Sequence, residues 1–314
     1  KDGRRKARLI VLGYREPKSW DVGGTDSPVA AMSSIRTLLF IIGMIGDVIS
    51  AIDVSTAFLQ ANEYPTDANP RYVFYEPFRG AKKIYYRLKG CLYGQRTASM
   101  EWHKTLSSWL ITQGFIPGKN DPCMYQHPTT HVRLAVVVDD ILVRGSEIET
   151  QNFYAALEKR FDVKDPSYLT NDTPITYAGL HISWFDKDGV KILKVDQTRD
   201  LENYLEDIGY KGSSFVTNPM SCHSEITSDP TLLEGDERAW YKSVVGALNY
   251  YSCTTRYDIS YAASKLSQFA ANPTVGAGKA LKRVLSYMAS PTEFSLIGQW
   301  KGEKSYGHEA DKLD

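Results

Sequence analysis

The stretch VVVDDILVRG (136–145) sets two adjacent aspartates, Asp139 and Asp140, between two runs of aliphatic residues. Runs rich in β-branched residues that flank a short polar turn predict a β-hairpin. Upstream, residues 49–57 predict another strand, and this strand carries Asp53. If the strands lie side by side in one sheet, three carboxylates meet at a single edge of that sheet.

Three neighbouring carboxylates have a specific chemical consequence. They repel one another unless a cation neutralises them. Mg²⁺ prefers carboxylate oxygens and completes its coordination with water and substrate phosphates. Two such ions about 4 Å apart serve an in-line phosphoryl transfer. An isolated Asp-Asp in a β-turn, however, is usually only a turn former, so the interpretation depends on the surrounding sequence.

Charge and cysteine content limit the class of protein. The chain has 314 residues with 37 basic and 37 acidic side chains, and a neutral balance alone argues weakly against a nucleic-acid partner. The distribution is uneven, since residues 1–8 hold five basic residues and one acid, which indicates either a basic channel or ordinary solvated surface.

The four cysteines are widely spaced and form no C-x-x-C pair, so we expect neither zinc nor disulfides, and a reducing compartment fits.

The chain carries no pattern typical of a membrane span or signal peptide. Its most apolar stretch, residues 38–52, is shorter than the ~20 residues that a span needs, and it contains Asp47. The basic start lacks an apolar segment and a cleavage site. We therefore expect no membrane partner.

Hydrophobic periodicity predicts a mixed α/β body followed by a helical region, with the boundary near 196–200. The capping box Ser146-x-x-Glu149 and the Asp188-Gly189 turn support two of these predictions. Strands are predicted at 8–14, 49–57, 72–75, 84–88, 132–143, 175–184 and 190–195. Helices are predicted at 31–46, 101–113, 146–161, 198–208, 238–254, 258–271 and 274–288, with Asp258 and Thr274 as N-caps of the last two.

Read in order, eight blocks of this sequence resemble the reverse transcriptase of copia-type long-terminal-repeat retrotransposons. Each block alone is weakly specific, whereas their order and spacing together are highly specific. The blocks are KARLIVLGY (6–14), SPVAAMSSIRTLL (27–39), IDVSTAFLQ (52–60), RLKGCLYGQRTASMEWH (87–103), DPCMY with VVVDDILVRG (121–125, 136–145), YAGLHI (177–182), YKSVVGALNYYSCTTRYDISYAASKLSQFAANP (241–273) and ALKRVLSYM (280–288).

The resemblance implies an α+β fold of the right-hand polymerase type, with an antiparallel palm sheet. It implies fingers and palm over residues 1–196 and a helical thumb or connection region over 197–300. Residues 301–314 resemble the truncated start of a ribonuclease H-like domain, with Asp311 in its first strand. A lone aspartate cannot hold the metals of such a site, so we expect no ribonuclease H activity here.

The resemblance also implies the roles of individual residues. It assigns Asp53, Asp139 and Asp140 as catalytic metal ligands, joined by the carbonyl of Val54, for two Mg²⁺ ions with Mn²⁺ as an alternative. The nucleotide-binding residues that it implies are Lys6, Arg8, Val54, Ala57, Phe58, Tyr93 and Gly94. Phe58 would lie under the incoming sugar and block a 2′-hydroxyl, although the sequence alone favours an ordinary core residue. Either Lys6 or Arg8 would grip the triphosphate.

The implied function is an RNA-directed DNA polymerase that adds deoxynucleotides to a primer 3′ end. The implied partners are an RNA or DNA template with its primer, deoxynucleoside triphosphates, and the integrase and ribonuclease H domains of a complete element. The implied location is intracellular, in a cytoplasmic particle or the nucleus.

The sequence departs from the family pattern at two places. Val137 replaces a tyrosine, and LYGQRTAS (92–99) replaces LYGLKQAP, which puts Ser99 where the family has proline. One alternative is therefore a catalytically decayed fragment that folds and binds nucleic acid without turnover. An unrelated α/β protein with a structural metal is the other alternative, and the ordered blocks argue against it.

Overall fold

The computed structural model describes residues 8–20, 24–40, 47–65, 70–210, 216–220, 226–290 and 294–300. Within this part of the chain, two compact units form, one up to Tyr168 and one from Leu169. No helix among the described residues is long and apolar enough to cross a membrane.

The first unit is built around an antiparallel sheet. Its strands are β1 (Val48–Asp53), β2 (Arg71–Tyr75), β3 (Ile84–Leu88), β4 (Ile116–Pro117), β5 (Met124–Gln126), β6 (Arg133–Val137), β7 (Asp140–Gly145) and β8 (Ser167–Tyr168). Six of them form one sheet in the order β4-β5-β6-β7-β1-β8, while β2 and β3 pair separately. The helices are α1 (Met32–Phe40), α2 (Ala98–Thr112) and α3 (Glu147–Glu158). Antiparallel pairing throughout confirms the predicted α+β class.

The central hairpin β6–β7 forms where the sequence predicts it, but its turn lies one residue earlier. Val137 pairs with Asp140, so the two loop residues are Val138 and Asp139 rather than the two aspartates. Because side chains alternate along a strand, Val136 and Ile141 point to the face opposite Val137 and Asp140. That face forms the core, since Val136 and Ile141 are buried.

The prediction of a strand at residues 8–14 is wrong. The described residues 8–12 form no strand, and Gly13–Arg15 is a short 3-10 helix. The segment bonds instead to a loop, since the Val11 N–H donates to the Tyr93 carbonyl oxygen at 2.7 Å. Gly94 next to it has a φ of +88°, and a Cβ there would overlap the Val11 carbonyl oxygen. Only glycine permits this close approach.

The second unit combines a smaller sheet with a helical layer. Its strands, in the order β12-β11-β10-β9, are β9 (Ile175–Tyr177), β10 (Leu180–Lys187), β11 (Val190–Asp196) and β12 (Leu296–Trp300). Its helices are α4 (Thr198–Asp207), α5 (Gly235–Thr254), α6 (Ser260–Ser267) and α7 (Val275–Met288). Strand β12 follows the helices in the chain and pairs with β11. The β10–β11 hairpin therefore belongs to the same compact unit as the helices. The compact units therefore divide earlier than the predicted boundary near 196–200.

Turn geometry explains where the other predictions succeed or fail. Asp188 and Gly189 have φ values of 53° and 73°, which confirms the predicted tight turn. Ala178 and Gly179, at 48° and 79°, split the predicted strand 175–184 into β9 and β10.

Helix capping follows the predictions in two cases and departs from them in one. Ser146 and Thr274 accept hydrogen bonds from the N–H groups of Glu149 and Ala277, as predicted for helix N-caps. The predicted helix 258–271 spans only Ser260–Ser267, and Asp258 pairs with Arg256 at 2.8 Å instead of capping it. Residues 41–46 of the predicted first helix lie outside the described residues.

A buried arginine joins α1 to the sheet. The side chain of Arg144 on β7 is 1% exposed, and its Nη1 donates to the carbonyl oxygens of Leu38 at 2.6 Å and Leu39 at 2.9 Å. These carbonyls belong to the last described turn of α1. The Arg144 Nε lies 3.5 Å from the Asp47 carboxylate. One guanidinium thus links α1 to a buried acid immediately before β1.

We expect Arg144→Met to lower the free energy of unfolding by about 3–5 kcal/mol, because it removes the buried cation beside the Asp47 carboxylate and its hydrogen bonds to the Leu38 and Leu39 carbonyls. Urea denaturation followed by circular dichroism measures the change. Arg133→Met is the matched control, because Arg133 lies directly opposite Arg144 on β6 but is only half-buried. Its effect should stay within about 0.5 kcal/mol. Equal effects of both substitutions would contradict the anchoring role of Arg144.

Candidate active site

Strand register brings two of the three predicted aspartates together. Asp53, the last residue of β1, lies directly opposite Asp140, the first residue of β7. Residues opposite each other on antiparallel strands project from the same face, with Cβ atoms about 4.5–5.5 Å apart. Val137 on β6 is opposite Asp140 in turn, so Val137, Asp140 and Asp53 form one row on one face.

The third aspartate lies in the turn beside this row. The backbone carbonyl of Asp139 accepts a hydrogen bond from the Val54 N–H at 2.9 Å, which ties the hairpin turn to the end of β1. Val54 itself is fully buried. The turn and the strand end are therefore held as one structure, with all three aspartates at the same sheet edge.

A tryptophan on α2 supports the turn from behind. The indole Nε1–H of Trp102 donates to the Val138 carbonyl oxygen at 2.7 Å, and Trp102 is 1% exposed. Val138 has a φ of 57°, a conformation that a β-branched residue adopts only under strain from its surroundings. The sequence analysis included Trp102 only as part of the predicted helix 101–113. The available signal was its indole N–H, which needs a hydrogen-bond partner when buried.

The aspartates interact electrostatically. The pKa of Asp139 is raised above its usual value, chiefly because the carboxyl is partly buried, and the negative charge of Asp53 raises it further. The positive charges of Lys164 and Arg8 act in the opposite direction. The sheet edge therefore concentrates negative charge that nearby cations partly offset.

Lys164 is the site residue that the sequence analysis missed. Its Nζ lies 2.7 Å from Oδ1 of Asp53, and its backbone N–H donates to the Asp53 carbonyl oxygen at 3.0 Å. The Lys164 side chain is 60% exposed, so this ion pair adds little stability. Its effect is local, because it places an ammonium group against a predicted metal ligand. A single lysine in a polar loop gives no sequence signal for this contact.

The donor atoms at this edge suit a hard divalent cation. Carboxylate oxygens are the ligands that Mg²⁺ prefers, and the mutual repulsion of Asp53 and Asp139 is what a bound cation would relieve. Within the described ranges, however, no group of three His, Cys, Asp or Glu side chains is arranged so that it could hold a metal ion. The carboxylates present therefore suit a divalent cation in their chemistry but not in their arrangement, in which Lys164 is paired with Asp53.

Three of the predicted nucleotide-binding residues form a stack. The Arg8 guanidinium carbon lies 5.4 Å from the centre of the Tyr93 ring, and the Tyr93 ring lies 5.4 Å from that of Phe58 at an interplanar angle of 57°. Phe58 is partly buried, so it belongs to the core and also reaches the stack. Ala57 is buried at the start of the short helix after β1, and Lys6 lies outside the described residues.

The departures at 95–99 have structural partners. The Gln95 Oε1 accepts hydrogen bonds from the Leu92 N–H at 2.6 Å and the Tyr64 hydroxyl at 3.2 Å. Thr97 is buried, and its Oγ1 accepts from Arg71 at 3.3 Å. The backbone carbonyl of Ser99 accepts from the Ser27 hydroxyl at 3.1 Å. This block is therefore integrated into the first unit despite its unusual sequence.

Comparison with known proteins agrees with the sequence blocks. The family described as "Reverse transcriptase (RNA-dependent DNA polymerase)" matches residues 1–221. The Retrovirus-related Pol polyprotein from transposon RE1 of Arabidopsis thaliana is 32% identical over 306 residues, covering 94% of this chain and 19% of that protein. The corresponding polyprotein from transposon TNT 1-94 of Nicotiana tabacum is 28% identical over 302 residues, covering 92% of this chain and 22% of that protein.

The chain spans about a fifth of the length of these curated relatives. A solved structure of apo telomerase from Candida tropicalis gives a TM-score of 0.35 at 12% identity, over 50% of this chain and 39% of that chain. A likeness at that score supports no statement about the fold. The family match, in contrast, covers more than half of the chain and includes all three aspartates. This chain belongs to the reverse transcriptase family.

Proposed function

We propose that this chain is the polymerase part of a retrotransposon reverse transcriptase, an RNA-directed DNA polymerase that extends a primer 3′ end with deoxynucleotides. The observation that carries the proposal is the register of β1 with β7, which sets Asp53 opposite Asp140, with Asp139 in the adjoining turn. The family match and the polyprotein relatives support the same function.

Reverse transcriptases use divalent metal ions. In our proposal Asp53, Asp139, Asp140 and the Val54 carbonyl hold two Mg²⁺ ions. When bound, such ions lower the pKa of an attacking hydroxyl and stabilise the pyrophosphate that leaves. The carboxylates would fix the positions of the cations, and the hydrogen bond between Val54 and Asp139 keeps the ends of β1 and the β6–β7 turn together. Lys164 must release Asp53 for this to occur.

The Arg8–Tyr93–Phe58 stack supports a nucleotide site beside the carboxylates. Arg8 is exposed, and its charge acts on Asp139, so in our proposal its guanidinium binds the triphosphate. The ring of Phe58 lies under the deoxyribose and excludes a 2′-hydroxyl. Gly94 has a packing role against Val11, and we propose that its exposed backbone also borders the nucleotide.

The proposal extends to domains and partners. The first unit supplies fingers and palm, and the helices of the second supply the thumb or connection region. The template–primer duplex is gripped mainly by Lys and Arg. The two plant relatives are named Pol polyproteins, and we propose integrase and ribonuclease H domains as further partners of this chain.

A decayed fragment that binds nucleic acid without turnover is the second candidate. It is favoured by the Lys164–Asp53 pair and by the lack of a ready three-ligand metal group among the described residues. Primer extension with Mg²⁺ on a poly(rA) template with an oligo(dT) primer separates the two candidates. Extension supports the polymerase, and binding without extension supports the decayed fragment.

Asp140→Asn should abolish extension while leaving the fold and nucleic-acid binding intact. The substitution is nearly isosteric and removes one charge from a repelling cluster. Because stabilisation of the transferring phosphoryl group depends on positioned cations, we expect the rate to fall by roughly three orders of magnitude or more. Single-turnover primer extension measures the rate, and fluorescence anisotropy measures duplex affinity.

The matched control for that substitution is Asp172→Asn, because Asp172 is an exposed aspartate outside the site. It should leave both rate and affinity unchanged. Equal extension by wild type and Asp140→Asn would refute the carboxylate assignment. Joint loss of folding and binding would make Asp140 a structural residue instead.

Lys164→Met should tighten divalent cation binding in the absence of nucleotide. The substitution removes the ammonium group that competes for the Asp53 carboxylate. For an exposed ion pair we expect about 1 kcal/mol, or roughly a fivefold lower Kd for Mn²⁺. Electron paramagnetic resonance of free Mn²⁺ measures the affinity. Lys159→Met removes an exposed lysine from the same segment and should have no effect, so a like change in both would mean only that net charge matters.

Val137→Tyr should raise primer extension. Val137 shares its face with Asp140 and Asp53, so a larger side chain there would project toward the same edge and offer an aromatic surface to the primer terminus. Primer extension under processive conditions measures the effect. Unchanged or lower extension would show that Val137 is not a defect.

A further inference from the structure

The β2–β3 hairpin carries an unusual concentration of rings and cations. Residues 70–89 contain one acid, Glu76, and six basic residues: Arg71, Arg79, Lys82, Lys83, Arg87 and Lys89. The same segment has six aromatic residues, all exposed: Tyr72, Phe74, Tyr75, Phe78, Tyr85 and Tyr86. Apolar surface of this extent usually marks a binding site.

One face of the hairpin combines both features, and we call it the aromatic face: Tyr72, Phe74, Lys83, Tyr85 and Arg87. Tyr72 lies opposite Arg87, and Phe74 lies opposite Tyr85. The rings of Phe74 and Tyr85 are 6.0 Å apart at an angle of 50°, and the Lys83 Nζ lies 4.5 Å from the centre of the Phe74 ring. Phe74 is 51% exposed and Tyr85 66%.

The opposite face fastens the hairpin to the first unit. Arg71 alternates to that side, where its Nη2 donates to the Trp20 carbonyl oxygen at 2.9 Å and its Nη1 to the Tyr64 hydroxyl at 3.1 Å. An isolated two-stranded hairpin is marginally stable, so these contacts help to hold it in place. The aromatic face is thus presented outward from an anchored strand pair.

The chemistry of the aromatic face selects one class of partner. Flat rings interleaved with cations suit a partner that offers both exposed π-faces and negative charge, which describes single-stranded nucleic acid. A duplex hides its base faces in the stack and offers phosphates alone. A second copy of this chain would bring Lys83 and Arg87 against their own counterparts, and the like charges would repel.

We infer that the aromatic face binds a single-stranded segment of nucleic acid, with bases stacked on Phe74 and Tyr85 and phosphates paired with Lys83 and Arg87. Because the two ring planes diverge by 50°, they offer two separate stacking surfaces. The inference rests on the proposed function only for the presence of nucleic acid at this chain. It assigns residues other than the carboxylates and the Arg8–Tyr93–Phe58 stack.

The test is fluorescence anisotropy of the whole chain with a labelled oligo(dT) and with a blunt duplex. Phe74→Ile and Tyr85→Thr remove a ring and keep residues that favour strands. Each should weaken oligo(dT) binding about tenfold and leave duplex binding unchanged. Tyr85→Trp, which keeps a stacking surface, should bind oligo(dT) at least as well as wild type. Circular dichroism melting confirms that the variants remain folded.

The matched control is Tyr261→Ala. Tyr261 is 62% exposed and has the Lys265 ammonium 5.8 Å from its ring, so it reproduces a ring–cation pair outside the hairpin. Its substitution should leave oligo(dT) affinity unchanged. An equal loss for Tyr261→Ala and Tyr85→Thr would overturn the assignment of the hairpin.

Five further outcomes are decisive. Unchanged oligo(dT) affinity in both ring-loss variants overturns the inference, as does a wild type that binds no single strand. Equal loss for oligo(dT) and duplex also overturns it, because stacking on exposed bases would not be the cause. Variants that lose self-association in sedimentation velocity but keep oligo(dT) affinity would assign the face to a second copy. Ring-dependent oligo(dT) binding without primer extension would uphold the inference while the proposed polymerase fails.

Discussion

Antiparallel pairing of β1 with β7 is the constraint on which the site depends. The register sets Asp53 against Asp140, and the next pair inward, Ile52 with Ile141, is buried in the core. A slip of one residue would turn every side chain of a strand to the other face. It would then expose aliphatic residues and bury a carboxylate. The hydrophobic core and the position of the acids are therefore enforced by the same pattern.

This arrangement has a local energetic cost that neighbouring groups offset. Val138 is held at a positive φ by the strand pairing around it and by the Trp102 indole, which donates to its carbonyl oxygen. Burial chiefly raises the pKa of Asp139 and the charge of Asp53 raises it further, while Lys164 and Arg8 counter that effect. A strained turn and a repelling charge cluster seldom persist without a functional reason, and in our proposal that reason is catalysis.

Local patterns predicted much of the fold, and their failures have physical causes. The hairpins β2–β3 and β6–β7 and the helix α2 were predictable because alternation and helical spacing are short-range signals. The strand expected at 8–14 failed because a strand requires a partner, and that segment bonds instead to the loop at Tyr93. The two turn residues of β6–β7 were misplaced by one because cross-strand pairing, not residue type, sets the end of a hairpin.

The residues of the candidate site were predictable only where a sequence block resembled the family. The resemblance supplied Asp53, Asp139 and Asp140, and strand register then placed Asp53 opposite Asp140. The sequence analysis did not identify Lys164 as a site residue, because its contact with Asp53 depends on the β-bridge between Val54 and Val163. That bridge brings together segments more than a hundred residues apart.

Net charge is a second case in which the sequence alone does not reveal a spatial arrangement. A total of zero argues against nucleic acid if charge is spread evenly, yet electrostatic attraction depends on potential at the contacting surface. At Debye lengths of about 8–10 Å, acids on a distant face contribute little to that potential. The β2–β3 hairpin, with six cations and one acid within residues 70–89, therefore presents a positive surface regardless of the total. Because exposed rings share its outer face, the attraction is joined to a stacking surface, and the neutral balance of the chain does not weaken the assignment to nucleic acid.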